Sequence, residues 1–415
     1  MRRRLLTWIV SATLLFAVPA ARADNVTAVL SGGTLKLAGD GDANAIALDQ
    51  AALNANQIRV TPTGTTINGA PGAIVLDGFT GGVEADLGGG NDTLTIGAMT
   101  IPGAVKLSLG GGDDTLTVDS ATIHGAMKLT LGAGDDTVTL NAITVDGAIA
   151  LDLGGGNNTL AVCSMTVHKA LALKTSAGTG IARSAVCGST TADANGTAIV
   201  VDSVSAGAIS LKGSTTAETV VLNATSIDNK STLTLGGGSD SLAICSTSFD
   251  ASLAVKLGGG TPFTAQAACG ASNASGGNAF VVASTSVGTK LTVKGGGGAD
   301  SGLLKDTDVG EGSKIDLGQG TNGILVDGGL TGESLAIKAG KGIDAVTVSN
   351  TGIGNKLTID AGAGNNTILV NGATHVGGNL TVKTGKDNDT IDTTGALVNG
   401  KTTIKGGKGN DTITP

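Results

Sequence analysis

Glycine clusters recur along this chain on a fixed ruler. Gly88, Gly110, Gly132 and Gly154 stand 22 residues apart, Gly236 and Gly258 continue the series, and Gly296, Gly318, Gly340 and Gly362 resume it, with one extra residue before the turns at Gly385 and Gly407. Each cluster lies between two alternating apolar runs. Val105-Lys106-Leu107-Ser108-Leu109 precedes Gly110-Gly111-Gly112-Asp113-Asp114, and Thr115-Leu116-Thr117-Val118 follows it. Period-two alternation is strand patterning, so one unit holds two strands and a shorter third near Ile123. A single unit cannot bury its apolar side. Copies stacked coil upon coil can, each strand pairing in parallel with its successor at about 4.8 Å per coil. The expected fold is all-β: a right-handed parallel β-helix, a solenoid of about 14 coils and roughly 65 to 70 Å.

Composition agrees with thin stacked layers. Of 415 residues, 69 are Gly but only 6 are Pro, which excludes collagen. Hydrophobic residues make up 40% with 1% aromatic, so Leu, Val, Ile and Ala must build the core. Residues 1–23 have the pattern of an export signal: Arg2, Arg3 and Arg4, an apolar stretch from Leu5 to Val18, and Ala21-Arg22-Ala23 as a small-x-small cleavage site. Without them the net charge falls from −8 to −12. Such an acidic chain favours cations and disfavours nucleic acid or anionic lipid. No later apolar run is long enough to span a membrane, so the expected location is secreted, periplasmic or extracellular. Residues 24–82 are less regular and are expected to form an N-terminal cap region ahead of a repeat domain over 83–415.

The repeat breaks phase twice, from Ser176 to Ser214 and from Gly258 to Gly296, where 38 residues replace 22. Loops over 176–196 and 258–277 are expected there. Cys163 and Cys187, and Cys245 and Cys269, are each separated by 24 residues, which suggests two disulfides pinning the loops, in keeping with export. Buried free thiols are the alternative. Irregular loops on a rigid scaffold are where recognition concentrates. Arg183, Phe263 and Gln266 are therefore the candidate contacts for an unknown surface or extracellular partner.

The last turn, Gly406-Gly407-Lys408-Gly409-Asn410-Asp411-Thr412-Ile413, carries the nonapeptide of the repeats-in-toxin (RTX, haemolysin-type) calcium-binding family, which the chain resembles. The other turns match it less fully, with Leu87, Leu109, Leu131, Leu153 and Leu235 in place of the first Gly. The resemblance implies calcium held by turn carboxylates and carbonyls: Asp92, Asp114, Asp136, Asp240, Asp300, Asp344, Asp389 and Asp411, with Gly90, Gly112, Gly134 and Gly409. Glu218 takes the Asp place once, and Asn158, Asn322 and Asn366 three times. The family repeats its motif every nine residues, whereas this chain does so once per 22, so one row of sites is the most it allows.

Elementary electrostatics also points to a cation. Stacked Asp92, Asp114 and Asp136 repel by about 1 kcal/mol per pair in water and roughly 3 to 4 kcal/mol at an effective dielectric of 20, and a hard divalent ion reverses the sign. The alternative is a plain turn, in which Gly supplies positive φ and Asn or Asp bonds its own backbone. His124, Asp146 and His168 share another 22-residue column, and Thr93/Thr95, Thr115/Thr117 and Thr137/Thr139 form a polar array that ends at Ala161. The expected function is a secreted structural or adhesive solenoid that binds calcium. A metal-free scaffold and a polysaccharide-active enzyme are the alternatives. The enzyme requires three or more charged side chains clustered on one lateral strand face. No nucleophilic triad or catalytic pair is visible.

Overall fold

The computed structural model describes residues 24–178, 182–259, 263–264, 275–276 and 278–415. The expected export signal lies outside them. The chain winds into a parallel β-solenoid of about 14 turns with three stacks of strands. Lead strands run from Val83–Asp86 and Val105–Gly111 to Thr402–Lys405, and after each glycine turn a second stack runs from Thr93–Ile96 and Thr115–Asp119 to Thr412–Thr414. Short strands such as Thr122–Ile123 form the third face. Register follows the repeat: Leu107 lies opposite Leu129, and Leu129 opposite Leu151. Leu116, Val138 and Leu160 stack likewise. These alternate residues are buried, and the core is one continuous column of Leu, Val and Ile.

The corners are as regular as the strands. In the turns, Gly112 (φ +131°) and Gly134 (φ +137°) sit directly on the coil before, and a Cβ on either would stand 2.1 and 2.0 Å from the carbonyl oxygens of Gly90 and Gly112. Only glycine meets both conditions. The next corner takes one small residue per coil in the left-handed region: Ser120, Ala142, Ser164, Ser203, Ala224 and Ser246, with φ between +48° and +57°. The extra residue late in the chain is absorbed at this corner rather than just before Gly385. Ser349 pairs with Asn371, 22 on, but Gly352 pairs with His375, 23 on.

At the N-terminal end, hairpins replace coils. Asn25–Ser31 runs antiparallel to Thr34–Ala38, and Gln57–Pro62 runs antiparallel to both Ala45–Asp49 and Ile74–Asp77. Ile58, Val60, Ile67 and Phe79 are buried there.

The first phase break is a hairpin, Ala182–Cys187 against Thr190–Asn195. It lies on the outer side of the second stack, where Ala161, Val200, Val221 and Ala243 form a separate small core with Ala185, Ala192, Cys187 and Cys245. The loop is thus laid down on the sheet rather than projecting from the turn edge, and the outward alanines that interrupt the Thr-x-Thr array are its seat. A disulfide joins Cys163 to Cys187, Cα to Cα 5.6 Å. Cys245 is also disulfide-bonded. Its expected partner Cys269 lies outside the described residues, as does Gln266. Phe263 belongs to a short strand, Phe263–Thr264, paired antiparallel with Ser275–Gly276. Arg183 lies in the first hairpin.

Candidate functional site: the turn ladder

The aspartates assigned to the turns do stack, and they stack inward. Asp92, Asp114, Asp136, Asp240, Asp300, Asp344 and Asp389 are buried to within about 1% of full exclusion, and Asp411 in the last coil is half-buried. Except at Asp300, the Oδ1 of each of these side chains accepts the backbone N–H of its counterpart one coil earlier. Asp92 N donates to Asp114 at 2.7 Å, Asp114 N to Asp136 at 2.9 Å, and Asp136 N to Asn158 at 2.8 Å. Beyond the first insertion the same bond links Glu218 to Asp240, Asp300 to Asn322, Asp344 to Asn366, and Asp389 to Asp411. Asn44, Thr197 and Asn278 complete the column. The period places Asn44 and Asn278 only once the register across the cap and the second insertion is known.

One carboxylate oxygen is left over in most acidic coils. Oδ2 of Asp92, Asp114, Asp136, Asp240, Asp344 and Asp389, and Oε2 of Glu218, are buried with no hydrogen-bond partner. The asparagine coils show what surrounds that atom. Asn158 Nδ2 donates to the carbonyl of Leu153 at 2.6 Å, Asn322 Nδ2 to Gly320 at 3.0 Å, and Asn366 Nδ2 to Gly364 at 2.9 Å. Where Asn places a donor among turn carbonyls, Asp places a third kind of oxygen. An ionised carboxylate there needs a positive partner, either a cation or a proton. Burial accordingly pushes Asp92 up to about 6 and Asp136 to about 7, against the opposing effect of the N–H each accepts. Asp240 rises to about 8, through burial first and the charge of Glu218 second.

Tested against this geometry, calcium suits the kind of donor but not a carboxylate-rich cage. The free atoms are hard oxygens, as calcium requires. Among the described residues, however, no three acidic, histidine or cysteine side chains converge on one point, so remaining ligands would come from backbone carbonyls such as those of Gly90, Gly112, Gly134 and Gly409. Asp300 stands apart. Its Oδ2 accepts the N–H of Gly296 at 2.9 Å, and its Oδ1 accepts the amide of Asn278 at 2.7 Å.

Comparison with known proteins gives no relative: no family, no curated protein and no solved structure matches the chain.

Two other constellations were visible in the repeat. His124 and His168 each place Nδ1 on Asp146, at 2.8 and 3.1 Å, which holds that exposed carboxylate below its usual range. The three are brought together as the period requires, with His168 within the bulge between Val167 and Ala170. Beside the disulfide, a groove of about 650 Å³ runs between the hairpin and the Thr array, lined by Thr117, Thr139, Asp119 and Asp202. Among the described residues no helix is long and apolar enough to cross a membrane.

Proposed function

We propose that the chain is a rigid structural or adhesive scaffold that acts outside the cytoplasm, and that the buried carboxylates of its turns take up calcium. The observation that carries the metal is the row of buried, unpaired carboxylate oxygens at the positions where asparagine donates to turn carbonyls. A cation held there would cross-link successive coils and remove the repulsion between stacked charges. The disulfide and the N-terminal signal pattern support an oxidising location.

The test is thermal melting at pH 8 with millimolar calcium and with EDTA. A rise in midpoint of several degrees, saturating with calcium and much smaller with magnesium, is the expected result. If instead the midpoint ignores calcium and climbs steadily as the pH is lowered, protons occupy the ladder and the scaffold is metal-free.

A further inference from the structure

The outward residues at the ends of the lead strands form one unbroken column that the turn chemistry does not use. From the first insertion to the last coil, register places Lys212, Lys256, Lys294, Lys338, Lys383 and Lys405 in a single file. Lys174 begins it, opposite Lys212 and paired with Asp152 at 2.7 Å. Only Thr234, Asp316 and Asp360 interrupt it. All six lysines named are exposed, and none forms an ion pair with a described residue. More than half of the 22 Lys and Arg beyond residue 23 lie on the outer faces of the lead strands, in a chain whose net charge there is −12. Asp316 stands between Lys294 and Lys338, and Asp360 between Lys338 and Lys383, but Lys174 and Lys212, Lys256 and Lys294, and Lys383 and Lys405 are directly stacked like charges, whose repulsion local packing does not explain.

In the neighbouring column, two residues earlier on the same strands, Ser210, Thr232, Thr292, Thr358, Thr381 and Thr403 carry hydroxyls, Ala172, Ala254 and Ala336 carry none, and Lys314 adds one more cation. Together the two columns make a flat ribbon roughly 43 Å long, counted over nine coil intervals, with cations at seven of the ten positions of one margin and hydroxyls at six of the ten beside them.

We propose that this ribbon binds a linear acidic polysaccharide laid along the solenoid axis. Charge complementarity selects a polyanion, and single-file cations one or two coils apart select an extended one with charges at comparable intervals. The hydroxyl column selects a ligand with hydroxyls of its own. Single-stranded nucleic acid is the less suitable polyanion, because its non-specific binding sites use aromatic stacking platforms and the ribbon has no aromatic side chain. This assigns a partner class to the adhesive scaffold proposed above, and it makes no use of calcium. It also supplies the lateral cluster of charged side chains that an enzyme would require, without a nucleophile or triad beside it.

The experiment is binding of polygalacturonate, with neutral dextran as control, measured by analytical ultracentrifugation in EDTA so that the calcium question does not enter. The full mature chain should bind polygalacturonate and not dextran, and affinity should fall at least tenfold between 50 and 300 mM salt, as counterion release requires. The triple variant Lys256→Gln, Lys294→Gln, Lys338→Gln, which removes charge without stacking new acids on Asp316 and Asp360, should lose binding at least tenfold. A charge-matched triple off the ribbon, Lys169→Gln, Lys305→Gln, Lys408→Gln, should bind like the parent, and both should melt like the parent. No binding by the parent, equal loss in the two triples, or tighter binding to duplex DNA than to polygalacturonate would each overturn the assignment. None of those outcomes alters the calcium melting result.

Discussion

At the scale of the residue, the turn ladder turns on the difference between an oxygen and an amino group. Asn158, Asn322 and Asn366 occupy the same place as Asp136, Asp300 and Asp344 one coil earlier, with nearly the same shape, and satisfy it with a donor. Asp136→Asn should therefore raise stability in EDTA at pH 8 by about 1 to 3 kcal/mol, because an unpaired buried acceptor is replaced by a bonded donor. In saturating calcium the same variant should gain less or lose stability. Asp136→Ala should be destabilising in both, since it also strips the acceptor from Asp114 N. Urea denaturation of the three proteins, with and without calcium, measures all of this. The sequence made the column visible through the spacing of Asp92, Asp114 and Asp136. It did not reveal that the carboxylates face inward, because strand alternation does not specify which way a turn residue points.

At the scale of the element, the hairpin between residues 182 and 195 is held by a disulfide and a small apolar seat. The chain-entropy model gives about 3 to 4 kcal/mol for closing a loop of about 25 residues. The double variant Cys163→Ser, Cys187→Ser should lose roughly that much and should release the hairpin before the coils melt. Limited proteolysis cutting first within 182–195, together with dye binding to the uncovered Val200 and Val221, is the expected signature. Two features of this element were legible: the 24-residue Cys spacing and the interruption of the Thr array at Ala161. The direction in which the loop folds was not. Projection from the edge and packing on the sheet need the same chain length, and only the outward apolar residues Val200, Val221 and Ala243 distinguish them. The same reasoning applies to Val281 and Leu303, which form a second small outward cluster beside the other insertion.

At the scale of the whole molecule, the coils were fully legible because one period sets strand length, register and corner at once. What the period hides is the sum of many small electrostatic effects. Burial raises the folded pKa values of Asp92, Asp114, Asp136, Asp240, Asp300 and Asp344 above 3.8, Asp136 to about 7 and Asp240 to about 8. A carboxyl raised by folding contributes its stability below the unfolded value and loses it as pH rises through the folded one. In EDTA the molecule should therefore be most stable near pH 4 and lose stability progressively to about pH 8, the reverse of a chain whose carboxylates are salt-bridged. Calcium binds the ionised form, so under the proposed function the ion should flatten that decline. Chemical denaturation at half-unit pH steps, with and without calcium, tests it. A stability that rises with pH in EDTA would contradict the buried ladder itself.

Beside the inner ladder runs an outer one of opposite sense. Asp113 N donates to Asn91 of the preceding coil at 2.9 Å, Asp135 N to Asp113 at 2.8 Å, and Asn157 N to Asp135 at 2.8 Å. Whereas the peptide dipoles of an α-helix add head to tail, the amides of these adjacent columns point oppositely along the axis and largely cancel. Extra windings would thus accumulate no growing polarisation from these amides, and their dipoles would set no upper bound on how long such a molecule could be.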